Sequence, residues 1–214
     1  MFKPFLALFT KMAPTRLDLR RQPVTFTFVM CLISVNLKRH VAAIAAMVLL
    51  SGIALAEPVS PELLEKLRSA GPAEAPRVVR EIETIWARSG SAAMDLLLKR
   101  GRDALKEEEF GLAIEHLTAL TDHAPQFAEG FNARAEAYFR SNLYGPALDD
   151  LESALALNPQ NFNAIFGLAV MYQEFGNLGK AAQLYRRVLA IHPNHENANT
   201  ALEYLKRDGI GREI

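Results

Sequence analysis

Leu155-Ala-Leu-Asn-Pro159 and Leu189-Ala-Ile-His-Pro193 are near copies set 34 residues apart. Proline cannot continue a helix, because its ring blocks the preceding turn and it has no N–H to donate. Each pentapeptide therefore reads as the last turn of a helix and its stop. One more step of 34 residues upstream lands on Pro125. Three abutting windows follow: 94–127, 128–161 and 162–195.

Other columns keep the same step. Gly101, Ala135 and Ala169 align, as do Ala113, Ala147 and Ala181, and these small residues allow two helices of a unit to approach closely. Leu117, Leu151 and Tyr185 align as core positions. Tyr138 and Tyr172 put a large ring between units, where the first window has Ala104. The first window also has Leu120 where its sisters have Ala154 and Val188, so its packing must exchange large for small. Gly145-Pro146 and Phe175–Gly179 read as the turns within the second and third units. A fixed period of this length is the mark of a repeat array in which each unit buries its apolar face on the next.

The pattern resembles the tetratricopeptide repeat (TPR) family, whose units are helix-turn-helix pairs of about 34 residues. The resemblance implies an all-α solenoid with three clear units, 94–127, 128–161 and 162–195. Residues 196–207 carry Ala198, Ala201, Leu202 and Leu205 on one stripe, fitting a C-terminal capping helix, with 208–214 as a loose tail. Upstream, Ser60-Pro61-Glu62 starts a helix that Gly71-Pro72 breaks, and a second helix carries Val78, Val79, Ile82, Ile85 and Trp86. Residues 57–93 are thus a degenerate repeat or an N-terminal helical cap, with Trp86 expected against Leu96–Leu98.

The leader differs in kind. Residues 1–56 hold seven Lys/Arg and one acid, whereas 57–214 hold seventeen Lys/Arg and twenty-three Asp/Glu, a net of −6. Lys38-Arg39-His40, the apolar run Val41–Ile53 and Ala54-Leu55-Ala56 form the three regions of a secretory signal peptide, with cleavage before Glu57. The run is short for a bilayer span, which needs about 20 residues. Retention as an inner-membrane anchor facing the periplasm is the alternative. Residues 1–37 read as a non-native or disordered extension, with translation starting at Met30 or near Val35–Leu37. The expectation is a bacterial periplasmic or secreted protein, and its body lacks cysteine.

No catalytic constellation stands out. The pair His192 and His195 has no carboxylate or thiolate partner in sequence and falls where sister units hold other turn residues. No phosphate loop or nucleophile elbow occurs, and an acidic body disfavours nucleic acid. The reading is a non-enzyme without cofactor or metal.

The resemblance implies instead a concave groove, lined by the first helix of each unit, that takes a partner protein or peptide. Its candidate lining is Leu98 and Arg102; Glu129, Asn132, Glu136 and Phe139; then Asn163, Phe166, Val170 and Gln173. Asp95, Leu105, Asn197 and Thr200 fall on the same face. The family's Lys/Arg/Asn clamp for a terminal carboxylate is mostly missing, since its places hold Leu98, Arg102, Ala133, Asn163 and Gly167. The expected function is a scaffold or adaptor of the cell envelope. The rivals are a structural homo-oligomerising subunit and an accessory subunit of an envelope enzyme complex.

Overall fold

A computed structural model describes residues 59–207 of the 214. The expectations for the leader, the signal segment and the tail after Arg207 concern residues outside that range. Among the described residues all regular structure is helical. The elements are α1 (Pro61–Ser69), α2 (Ala75–Trp86), α3 (Ala92–Lys106), α4 (Phe110–His123), α5 (Ala128–Arg140), α6 (Tyr144–Leu157), α7 (Phe162–Glu174), α8 (Leu178–Ile191) and α9 (Glu196–Arg207).

Helices α3–α8 form three antiparallel pairs, and the 34-residue step is physical. The second helices begin at Phe110, Tyr144 and Leu178 and end at His123, Leu157 and Ile191. Each stops at a non-helical residue just before proline: Ala124, Asn158 and His192, at φ −131°, −136° and −130°. The aligned alanines 113, 147 and 181 are fully buried where the paired helices cross.

Gly101 shows why that column must be small. A Cβ built there would lie 2.4 Å from Cγ of Leu117, so α3 and α4 touch with no room for a methyl group. The first unit solves its excess bulk at Leu120 in the same way. Leu120 is fully buried, and its facing residue in α5 is Gly130, where a Cβ would stand 3.1 Å from it. The corresponding positions in the later units are Ala164 and Ala198.

The turn expected at Phe175–Gly179 is found there, between α7 and α8, whereas that of the second unit differs from the sequence expectation. Gly145-Pro146 lies within the first turn of α6, where proline's missing N–H would have had no helical partner anyway. The chain reverses at Glu108, Asn142 and Gly176, all left-handed at φ 62°, 60° and 74°. These residues are again 34 apart.

Helix α9 covers the end of α8 through Ala198, Leu202 and Leu205. His195 opens it as an N-cap, its Nδ1 accepting from the Ala198 N–H at 3.2 Å.

The pair α1–α2 packs far from its sequence neighbours. Leu64, Leu67, Val78, Ile82 and Trp86 share one buried cluster with Phe162, Ile165, Tyr185, Ile191 and Leu202 of α7–α9. Trp86 does not lie on Leu96–Leu98. Its ring meets Phe162, centroids 5.0 Å apart, and Leu96 is exposed. Two polar ties fix the placement: Asn194 donates to the Ala70 carbonyl at 2.7 Å, and Asn163 donates to Glu83 at 2.9 Å.

Candidate functional site

The first helices α3, α5 and α7 lie side by side and leave a cavity of about 410 Å³ between them. Its floor is small or apolar, made by Ala133, Ala135, Leu151, Gly167 and Met171. Gly167 keeps the floor low, because a Cβ there would come within 3.3 Å of Leu151. Arg102, Glu129, Asn132, Glu136, Phe139, Asn163, Phe166 and Val170 complete the wall.

Two candidates from the sequence fall elsewhere. Leu98 is drawn into the core with Leu117, Leu120 and Phe127, and is 2% exposed. Gln173 is turned toward α8, where its Oε1 accepts the Tyr185 hydroxyl proton at 2.8 Å. Leu105 is likewise buried. Asp95 holds the chain entering α3, accepting from the Ser89 N–H at 2.7 Å and its hydroxyl at 2.6 Å. Asn197 and Thr200 face a separate space beside α2.

At the head of the cavity sits a buried carboxylate. Glu129 is 4% exposed and accepts from Arg102 and Asn132 on Oε1 and from Asn161 on Oε2. Burial pushes its pKa upward, against the pull of the Arg102 charge and the three donors. Asn161 serves two elements at once, because its Oδ1 also caps α7 by accepting from the N–H groups of Asn163 and Ala164. Arg102, α5 and the start of α7 are thereby locked around one charge. A second ion pair lies outside the cavity. Arg134 binds Asp150 through both carboxylate oxygens, at 2.7 and 2.8 Å, and donates to Thr121 at 2.7 Å. It ties α5 to α4 and α6, and nothing in the bare sequence paired it.

The far end of the cavity opens onto aromatic surface. Phe139 meets Tyr144 with centroids 5.6 Å apart, and Tyr144 meets Phe175 edge-on at 5.4 Å. Phe175 is 57% exposed. The site thus offers amide donors and one neutralised charge at one end and an apolar wall at the other.

Among the described residues, no group of three or more His, Cys, Asp or Glu is arranged to hold a metal. None of the described helices is long and apolar enough to cross a membrane. His192 and His195 stack edge-on at 5.4 Å, against Phe162 and Phe166 respectively. Burial pushes His192 down to about 4 and lowers His195 as well.

Comparison with known proteins agrees with this geometry. Two family models, each described as tetratricopeptide repeat, match residues 144–203 and 98–145. A TPR repeat-containing protein of Rhizobium etli is 29% identical over 64% of this chain and 68% of its own length. Mouse sperm-associated antigen 1 is 29% identical over 51% of this chain, but the match spans only 12% of that protein. Among solved structures, the first TPR of Spaghetti (RPAP3), bound to the HSP90 peptide SRMEEVD, superposes with a TM-score of 0.53. It is 27% identical and covers 55% of this chain and 94% of that one. The crystal structure of MamA shares the fold at 21% identity and a TM-score of 0.51, over 72% of this chain and 88% of that one. The described part of this chain has an all-α, TPR-like solenoid fold, and residues 98–203 of it match tetratricopeptide-repeat models.

Proposed function

We propose that the cavity between α3, α5 and α7 holds an extended segment of a partner protein, so that the chain acts as a non-catalytic adaptor. The observation that carries this reading is the composition of the cavity wall. Phe139, Phe166, Val170 and Met171 offer a seat for one apolar side chain, flanked by Asn132 and Asn163. Those two amides each donate one N–H within the protein, to Glu129 and Glu83, and keep a second N–H and a carbonyl for an extended backbone.

The electrostatics narrow the segment. Arg102 is committed to Glu129, and Glu136 adds an acid whose nearest cation, Arg140, is 4.0 Å away. The RPAP3 domain is solved with an acidic peptide. The present wall would repel such a peptide, since like charges in a partly desolvated site cost affinity. A neutral or basic segment with a single large apolar residue fits better. The aromatic ladder from Phe139 to Phe175 extends the surface for a second apolar contact.

We further propose that the adaptor is exported to the bacterial envelope. Lys38-Arg39, the run Val41–Ile53 and Ala54-Leu55-Ala56 support that reading. Sequencing the N-terminus of the protein recovered from fractionated cells tests it, with Glu57 as the expected first residue. An intact leader on cytosolic protein would refute export.

Peptide-display selection on the full chain, followed by titration of the selected sequences, tests the binding role. Affinity in the micromolar range is expected for so short a groove. Phe139→Ala and Asn132→Ala should each weaken it at least tenfold without changing the far-UV spectrum. Selected peptides that bind both variants as tightly as wild type would place recognition elsewhere.

A further inference from the structure

The N-terminal pair does more than extend the solenoid. Helix α2 borders one space shared with the last helix and another shared with the first unit. Its early residues Ala75, Pro76, Val79 and Arg80 border the same space as His192–Thr200. Its late residues Glu83 and Thr84, with Ala87 just after its end, border another space with Arg102 of α3.

The attachment is a single stripe. Val78, Ile82 and Trp86 lie at i, i+4 and i+8, on one face of α2, and all three are buried in the cluster shared with α7–α9. The polar tie from α2 itself is the Asn163–Glu83 hydrogen bond. Open spaces of about 900 and 470 Å³ border its early and late residues. The connection to α3 turns at Gly90, φ 82°, and is anchored on the α3 side by the Ser89–Asp95 bonds. Displacement of the pair would also free Leu64 and Leu67 of α1 and break the Asn194–Ala70 bond, while the Ser89–Asp95 anchor would stay in place.

A helix held by one apolar stripe, an amide–carboxylate bond and a glycine joint has the form of a ligand in a helix-binding groove. We infer that the face of α7–α9 beneath α2 is a helix-binding surface, that residues 75–86 are its resident, and that a partner's amphipathic helix with two aliphatic residues and an aromatic at i, i+4 and i+8 takes their place. An acid one turn-step before the aromatic, as Glu83 stands before Trp86, completes the pattern by accepting from Asn163. The surface and the partner differ from those of the extended segment proposed above, although Asn163 borders both.

The chain carries one tryptophan, so the resident reports its own departure. The probe is a synthetic peptide copying residues 73–88 with phenylalanine in place of the tryptophan. Titrated into the full chain, it should move Trp86 emission to the red as that ring enters water. A fluorescein-labelled copy should bind Ile82→Asp at least tenfold more tightly than wild type, because the resident no longer competes. Phe162→Ala should weaken that binding, and Phe139→Ala should leave it unchanged. If Phe139→Ala abolished it, the peptide would be occupying the cavity and the separate surface would be disproved.

Three other results overturn the inference. One is an unchanged Trp86 emission at millimolar peptide together with no gain in affinity for Ile82→Asp. Another is collapse of the helical signal of α3–α9 in Ile82→Asp, which would make the pair an inseparable part of the core. The third is a concentration-dependent dimer of Ile82→Asp that excludes the peptide, which would make a second copy of this chain the occupant.

Discussion

Gly101 and Gly130 sit where helices from neighbouring layers touch, but they differ in how much room a methyl group would find. At Gly101 the obstacle is the branch point of Leu117, 2.4 Å from an added Cβ; at Gly130 it is the side chain of Leu120 at 3.1 Å. A branch point cannot swing away without dragging its own backbone. Gly101→Ala is therefore expected to cost about 1–3 kcal/mol in urea unfolding, the usual cost of overpacking, and Gly130→Ala less. Equal losses would mean that α3 and α4 can slide apart. At His192 the variable is pH. Its folded pKa of about 4 lies below the ordinary 6.5, and its Nδ1 is buried with no hydrogen-bond partner. The neutral ring belongs to the fold and the protonated ring to the unfolded chain. Its share of stability is thus complete above pH 6.5, shrinks as pH falls toward 4, and is flat below. His195, shifted the same way, adds to the slope; Arg80 and Glu196 are the charged residues bordering the same space. His192→Asn, which installs the residue of the sister position Asn158, should flatten the dependence of the urea midpoint between those values. A slope identical to wild type would assign the acid sensitivity to carboxylates.

Between helices, the Glu129 network makes an asymmetric prediction. Burial raises the Glu129 pKa, so its charge weakens the fold at neutral pH, and that penalty disappears as the carboxyl is protonated on acidification. Glu129→Gln keeps the side-chain shape and should leave stability within about 1 kcal/mol of wild type. Arg102→Ala leaves the carboxylate in place without its cation and should cost roughly 1–3 kcal/mol, discounted because Arg102 is 36% exposed. Chemical denaturation of both variants at pH 7 checks the order; a larger loss from Glu129→Gln would reverse it. The same scale shows what a sequence discloses. Helix pairs and their ends were legible because each unit repeats its contacts at one spacing, so Pro125, Pro159 and Pro193 stop three equivalent helices. The reversals at Glu108 and Asn142 were hidden, since neither residue type announces a left-handed backbone as Gly176 does. The groove wall was legible as a helix face. The exceptions are Leu98, which joins Leu117, Leu120 and Phe127 in the core although its column-mates Asn132 and Phe166 line the cavity, and Gln173, which turns to the Tyr185 hydroxyl.

Across the whole described body, the least legible feature is the seat of α1–α2. Trp86 and Phe162 are 76 positions apart, and no periodicity links residues that meet only once. An open repeat array is held by nearest-neighbour interfaces, and its end units fray independently. Here the last unit is also bound to the segment preceding the first. Trp86→Ala should consequently lower the stability of α7–α9 more than that of α3–α4, which hydrogen exchange resolves helix by helix. Uniform loss across all units would indicate a single cooperative block.

The bond from Asn194 to the Ala70 carbonyl joins residues 124 positions apart, whereas the helix pairs close over a few dozen. Closing a longer loop costs more chain entropy, by about 0.6 kcal/mol for each doubling of length. Local pairs therefore zip first on the route from the unfolded chain, and the long closure comes last. In stopped-flow refolding, far-UV ellipticity should recover ahead of Trp86 fluorescence. A nascent chain emerging N-terminus first would make α1 and α2 early and seat them only after α9 had been synthesised, leaving the Val78–Ile82–Trp86 stripe uncovered while residues 87–207 are added. A factor that binds amphipathic segments in that interval has this stripe among its targets.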